Sequence, residues 1–220
     1  MTTSSAAPSV ANAVAEWAGS HGLAYSALSD ETGSPDGFAI TGKVGSKVWK
    51  LERGRSSRDY IHGPELRARA ELKLNSEVSV LIINRPLKDA LEKRAYEMFT
   101  DTLQTTADPN LPEEMRWLAM YPQAEWNGLT PEFWKRYAVL AEKEAHASAW
   151  VDSELAKLLV SWPEPGPNGQ IPFILMVLRG RVYLRMQYSP ADMPTLEHAV
   201  KIFTHACHAG VSGLSADILV

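Results

Sequence analysis

The chain has a single cysteine, Cys207, among its 220 residues. One thiol excludes an intramolecular disulfide, and with it the small secreted proteins that disulfides hold together. The longest apolar run covers residues 171–178 and is interrupted by Pro172, whereas a membrane-spanning helix needs about 20 apolar residues. The first residues, MTTSSAAPS, lack the positive charge and the apolar stretch of a signal peptide. We therefore expect a cytoplasmic protein with no membrane span.

A large excess of charge of either sign is absent as well. The formal net charge is −4 and the pI is near 5.9, so the chain as a whole has no electrostatic attraction to nucleic acid or to an anionic membrane. The sequence shows no P-loop, no Rossmann fingerprint and no nucleophile elbow. We therefore predict no cofactor, and the catalytic residues, if there are any, stay unassigned. Hydrophobic residues make up 45% of the chain, which is typical of a globular domain with a core.

Periodic hydrophobic patterns are present throughout the first half of the chain. Helical periodicity predicts a helix at 9–21 and a longer one at 86–105. Four segments between them have the composition or alternation of strands. These predicted strands are residues 37–44, 47–53, 66–74 and 78–83. Because one side of each alternating strand is polar, we expect an antiparallel meander with one solvated face.

The second half of the chain contains a smaller set of elements. They are a strand at 137–141, a helix at 152–162, a hairpin formed by 171–178 and 182–188, and a helix at 189–209. Ser189 and Asp192 have the spacing of a capping box at the start of the last helix, and Gly210 follows its end. Strands and helices thus occur in runs, which favours an α+β fold over a doubly wound sheet. We predict an antiparallel β-meander with flanking helices, followed by a smaller strand/helix/β-hairpin/helix unit.

The domain organisation follows from these patterns. Residues 1–9 are predicted to be a flexible tail, because they are small and polar. Residues 10–106 form an N-terminal α+β lobe, and residues 136–220 form a C-terminal α+β lobe. The stretch 107–135 is irregular and rich in Trp and Pro, and it connects the two lobes. The alternative is one compact domain.

The main candidate site is a group of basic residues on the predicted meander. Several of them could share one face of the sheet and bind a protein partner or an anionic ligand. These candidates are Lys50, Arg53, Arg55, Arg58, Arg67 and Arg69. The alternative is that the charges only solubilise the sheet and protect its edge. Nucleic acid is not favoured as the partner, because no aromatic recognition motif accompanies the basic residues.

The last predicted helix carries a second candidate group. His198, Lys201, His205 and His208 are separated by three, four and three residues, which places them on one face. His205 and His208 could share a transition metal if another element supplied a third ligand. The alternative is a solvated face whose imidazoles interact with the helix dipole. No partner motif supports a metal, so we predict none. Cys207 falls on the apolar stripe, where cysteine packs as a small hydrophobic residue.

These observations favour one function class and leave two alternatives. A full-sized domain without a catalytic motif favours a non-enzymatic binding or assembly protein. It would contact its partner through the basic meander or through the segment that holds Trp117, Trp126 and Trp134. The first alternative is a small-molecule or metal-dependent enzyme that uses the histidine-bearing face of the C-terminal helix. The second is an anion or phosphoester ligand held by Arg53, Arg55 and Arg58. The sequence does not set the oligomeric state.

Overall fold

The computed structural model describes residues 10–29, 35–101, 113–164 and 169–215. The predicted tail, residues 1–9, lies outside these ranges, and so does part of the predicted connection at 107–135. No helix within the described ranges combines the length and the apolarity that crossing a bilayer requires.

The described residues contribute nine strands to one antiparallel sheet. In chain order the strands are β1 (Ala24–Ser29), β2 (Pro35–Val44), β3 (Lys47–Arg55), β4 (Pro64–Glu71), β5 (Ser79–Asn84), β6 (Gln123–Ala124), β7 (Tyr137–Ala141), β8 (Phe173–Leu178) and β9 (Arg181–Gln187). Across the sheet their order is β1-β2-β3-β4-β9-β8-β5-β7-β6. The hairpin β8–β9 from the second half of the chain therefore lies between β4 and β5 from the first half.

Helices cover the sheet on both sides, but to different extents. In chain order the helices of the described residues are α1 (Val10–Ser20), α2 (Arg85–Asp101), α3 (Glu113–Met120), α4 (Pro131–Arg136), α5 (Glu144–Trp150), α6 (Ser153–Val160) and α7 (Met193–Gly213). Helices α1 and α4–α7 bury their apolar side chains in one large core against the sheet. On the other side, Leu87 and Leu91 of α2 and Trp117 of α3 form a smaller core over β5, β7 and β8.

The α+β class and the N-terminal meander are confirmed. Strands β1, β2, β3 and β4 are sequential neighbours, and the turn at Gly45-Ser46 joins β2 to β3. The predicted place of β5 beside β4 is wrong, because β9 and β8 lie between them. The burial pattern explains this difference. All six residues of β5 are buried, which requires helices on both faces, whereas β4 buries mainly one side of its strand.

The C-terminal helix α7 begins later than the sequence predicted. Asp192 is its N-cap, and its carboxylate accepts the Thr195 backbone N–H at 2.7 Å, so the start is not at Ser189. Gly210 does not end the helix either, because α7 continues to Gly213. A Cβ at Gly210 would lie 3.0 Å from Leu74 Cδ1. The glycine therefore serves close packing between α7 and the sheet, and not chain termination.

Several short elements were not predicted. Helices α3, α4 and α5 and strands β1 and β6 have eight residues or fewer, so their hydrophobic patterns are short. The elements with clear local signals were located correctly. The predicted hairpin through Arg179-Gly180 joins β8 to β9, with φ of 51° and 74° at its two turn residues. The predicted helix at 86–105 corresponds to α2, and the predicted residues beyond 101 lie outside the described ranges.

Candidate functional site

On strands β3, β4 and β9, one side of the sheet has no helix layer over it among the residues that the structure describes, and we call this side the open face. In β3, Trp49 and Leu51 belong to the large core, whereas Lys50 and Glu52 point to the opposite side. The strict alternation of the three strands therefore gathers charged side chains on the open face. They line a cleft of about 520 Å³. The polar residues of the cleft are Lys50, Glu52, Arg67, Arg69, Glu71, Tyr183 and Arg185.

The strand register sets these side chains opposite one another. In the strand register, Lys50 lies opposite Arg69, and Arg69 lies opposite Tyr183 of the next strand. Two residues further along the strands, Glu52 lies opposite Arg67, and Arg67 lies opposite Arg185. Directly opposed residues of an antiparallel pair have Cβ atoms about 4.5–5.5 Å apart. These two cross-strand rows form the centre of the open face and are held on a rigid backbone.

Ion pairs hold the side chains of the open face in place. Glu52 contacts Lys50 Nζ at 2.5 Å and accepts a hydrogen bond from Arg67 Nε at 2.9 Å. Burial raises the pKa of Glu52, but hydrogen bonds and charges from Lys50 and Arg67 outweigh this and keep the pKa below its ordinary value. The Arg69 hydrogen bond and the charges of Arg181 and Arg69 likewise lower the pKa of Glu71. Both carboxylates therefore stay ionised at neutral pH.

The end of the cleft near Arg185 is more deeply buried. Glu65 is 1% exposed and accepts a hydrogen bond from Arg185 Nη1 through its Oε1 atom at 2.8 Å. Its second oxygen, Oε2, is buried and has no hydrogen-bond partner among the described residues. A carboxylate in this position would be strongly disfavoured without its arginine. One end of the Arg185 guanidinium is therefore occupied by its ion pair with Glu65.

A buried charged contact closes this end of the open face. Arg58 Nε lies 2.5 Å from Glu114 Oε1, and the Tyr60 hydroxyl donates to the same oxygen at 3.1 Å. Burial, followed by the charge of Glu114, raises the pKa of Tyr60, so its hydroxyl keeps the proton that it donates. Glu114 is on α3 and is 3% exposed. The loop at 56–63 is therefore fixed to α3.

The structure divides the predicted basic residues among three places. Lys50, Arg67 and Arg69 lie together on the open face. The side chains of Arg53 and Arg55 lie on the other side of β3 and line a separate pocket. Arg58 takes part in the buried contact with Glu114. The structure therefore brings three of the six predicted residues together on one face.

Sequence reasoning missed half of the open face. In β9 polar residues alternate with apolar ones, so the sequence predicts that Arg181, Tyr183 and Arg185 share one side of the strand. The sequence did not predict that β9 pairs with β4, because the two segments are more than 100 residues apart in the chain. The carboxylates Glu52 and Glu65 were missed because ion pairing depends on the same register.

The candidate histidines of α7 have separate partners. His198 Nε2 lies 2.7 Å from the Leu158 carbonyl oxygen, and its ring contacts Trp162. His205 Nε2 lies 3.0 Å from both carboxylate oxygens of Asp152, and His208 is exposed. In the part of the chain that the structure describes, no three His, Cys, Asp or Glu side chains are grouped as a metal site would require.

Cys207 and the tryptophans of the middle segment are packing residues. Cys207 is fully buried in the large core, and burial raises the pKa of its thiol to about 12, so the reactive thiolate is disfavoured. Trp117 of α3 is buried in the smaller core against the sheet. Trp126 and Trp134 are partly buried and meet edge to face with ring centroids 5.1 Å apart. These rings stabilise the connection between α3 and β7 through their contact area.

The chain was compared with protein-family models, with curated proteins and with solved structures, and none of the three comparisons found a match.

Proposed function

We propose that the protein is a non-catalytic binding protein that holds an acidic segment of a protein partner on the open face. The single observation that carries this proposal is the cleft of about 520 Å³ in which cationic side chains outnumber carboxylates. The cleft lies on three paired strands, so its polar groups are presented by a rigid backbone.

The balance of charges on the open face supports an acidic partner. The cations are Lys50, Arg67, Arg69, Arg181 and Arg185, and the carboxylates that they contact are Glu52, Glu65 and Glu71. Two positive charges are therefore in excess. Each guanidinium also has five N–H donors, of which the intramolecular ion pairs use only some. The remaining donors are positioned to bind carboxylates of a partner.

The existing ion pairs lower the cost of binding. Long cationic side chains lose rotamer freedom when they bind a ligand, at about 0.5–1.5 kcal/mol for each immobilised side chain. Glu52 and Glu71 each hold two cations before any partner arrives. Part of the ordering is therefore complete in the free protein, which favours specific binding over general attraction of anions.

The same carboxylates argue against a nucleic-acid ligand. Glu52 and Glu71 line the cleft and would repel the closely spaced phosphates of a polynucleotide. Among the described residues, Tyr183 is the one aromatic side chain that lines the cleft, whereas proteins that bind single strands stack successive bases on several rings. An extended acidic peptide turns every second side chain toward the open face, so its carboxylates are more widely spaced than the phosphates of a polynucleotide.

A defined peptide tests the proposal. We expect a fluorescently labelled hexaglutamate peptide to bind the full chain, as measured by fluorescence anisotropy at low salt. The double variant Arg67→Gln/Arg69→Gln should bind at least about tenfold more weakly, which corresponds to about 1.4 kcal/mol. Added salt should weaken the binding, because the contacts are solvent-accessible charges.

The matched control removes the same charge elsewhere. Lys157 of α6 and Lys201 of α7 are exposed and lie in the helix layer on the other side of the sheet. The double variant Lys157→Gln/Lys201→Gln should keep the affinity of the parent chain. If both double variants weaken binding equally, only net charge matters and the open face is not the site. If the parent does not bind the peptide at all, the acidic partner is excluded.

A further inference from the structure

Arg53 and Arg55 line a second pocket, which we call the arginine pocket, on the other side of β3 from the open face. Its volume is about 320 Å³, and it is lined by residues from the end of β3, from the following loop and from the start of β4. The lining residues that bear on its chemistry are Arg53, Arg55, Ser56 and Ile61. Two arginines at positions i and i+2 of a strand project to the same side, so their guanidiniums can reach one ligand.

Neither arginine of this pocket has a carboxylate within 4.0 Å among the described residues. Two acids whose side chains the structure describes have other partners: Asp59 pairs with Arg94 at 3.2 Å, and Asp192 accepts the Thr195 N–H at 2.7 Å. Glu65 lies on the open face and pairs with Arg185. Every cation of the open face, by contrast, is ion-paired. Within the described residues, the arginine pocket therefore holds two cations whose charges an external anion can neutralise.

The loop that forms the wall of this pocket is fixed before any ligand binds. Ile61 N–H donates to the Arg58 carbonyl at 3.1 Å, and His62 N–H donates to Gln187 Oε1 at 3.1 Å. The Ser56 hydroxyl accepts the Arg58 N–H at 3.0 Å and donates to the Arg58 carbonyl oxygen at 3.5 Å, a long contact that the hydroxyl can exchange for a ligand oxygen. Ile61 is 5% exposed and gives the pocket an apolar surface. Such a wall needs little reorganisation on binding.

We propose that the arginine pocket binds a phosphoryl dianion, either free phosphate or a phosphate monoester, through Arg53, Arg55 and the Ser56 hydroxyl. Two guanidiniums carry two positive charges, which a phosphoryl dianion neutralises completely and a carboxylate neutralises by half. The forked N–H donors of arginine match phosphate oxygens in bidentate geometry. The site is separate from the open face, so it is tested independently of the acidic partner proposed there.

Titration with inorganic phosphate and with O-phosphoserine, followed by amide chemical shifts of the full chain, tests this site. We expect both probes to shift the amides of the loop at 56–63, and acetate at the same ionic strength to shift them at least about tenfold less effectively. Because the second pKa of a phosphate monoester is about 6, phosphoserine should bind more tightly at pH 7.5 than at pH 5.5. Tighter binding of phosphoserine than of phosphate identifies an ester as the ligand, and equal binding identifies the free anion.

Two substitutions separate the site from the stability of the fold. Arg55 is exposed, so Arg55→Gln should leave the thermal midpoint unchanged and weaken phosphate binding at least about tenfold. Arg53→Lys keeps the positive charge but removes the planar set of N–H donors, so it should also weaken phosphate binding. Lys157→Gln, on α6, should bind phosphate as the parent does. Unchanged phosphate affinity in both Arg55→Gln and Arg53→Lys, or equal affinity for acetate and phosphate, would overturn the proposal.

Discussion

His198 of α7 is bound to the neighbouring helix and not to another histidine. Its Nε2 atom lies 2.7 Å from the Leu158 carbonyl of α6, and its ring centroid is 4.8 Å from that of Trp162. The Trp162 indole in turn donates to the Tyr137 hydroxyl at 3.1 Å. This chain of contacts joins α7, the end of α6 and strand β7, so His198 acts as a packing residue between helices.

The surroundings of His198 predict a pH dependence of stability. Burial lowers the pKa of His198, the Leu158 carbonyl opposes this, and Lys201 lowers it further, so the pKa in the folded state lies below 6.5. The unfolded chain therefore binds a proton more readily than the folded chain, and stability falls as the pH decreases below 6.5. Histidine ring NMR should show the lowered pKa in the native protein and a pKa near 6.5 in urea.

A substitution isolates this histidine. In His198→Gln the free energy of unfolding should depend less on pH between about 5 and 6.5 than in the parent chain, as measured by urea titration. His208 is exposed, so His208→Gln should leave the pH dependence as it is in the parent. An unchanged slope in His198→Gln would show that this ring does not contribute to the pH dependence.

At the scale of elements, the sequence predicts what is local and misses what is distant. The β2–β3 and β8–β9 hairpins were found because a two-residue turn and two alternating strands lie within about 20 residues. The order of the strands was not readable, because the pairing of β4 with β9 depends on contacts between segments far apart in the chain. The candidate site has the same limit: Lys50, Arg67 and Arg69 were predicted, whereas Arg181, Tyr183 and Arg185 needed the strand order.

The central place of β5 predicts a large cost for a cavity in it. Ile82 is fully buried between its partners Val139 of β7 and Leu175 of β8. Ile82→Ala should reduce the free energy of unfolding by about 2–5 kcal/mol, since the Ile82 side chain is enclosed in the large core. Val48 of β3 is 52% exposed, and Val48→Ala should change stability by about 0.5 kcal/mol or less. Urea unfolding of the two variants measures the difference, and equal effects would contradict the central position of β5.

At the scale of the whole molecule, the sheet is built from both halves of the chain. β9 pairs with β4 from Glu65 to Glu71, and β8 pairs with β5 from Ser79 to Ile83. The helices α5, α6 and α7 from the second half share one core with α1 and with strands of the first half. A chain cut between the halves would expose two long strand edges and open this core. We therefore expect neither half to fold by itself.

Fragments and one core variant test this interdependence. Residues 1–135 and residues 136–220, produced separately, should show no cooperative urea transition by far-UV circular dichroism, because each lacks the strands that complete its half of the sheet. The whole chain should unfold in one transition in which circular dichroism and tryptophan fluorescence coincide. Leu184→Ala in β9 should move both probes together to lower urea, with a loss of about 2–5 kcal/mol, since Leu184 is fully buried in the shared core. Two separate transitions in the whole chain, with Leu184→Ala affecting only one, would instead show two lobes that fold independently.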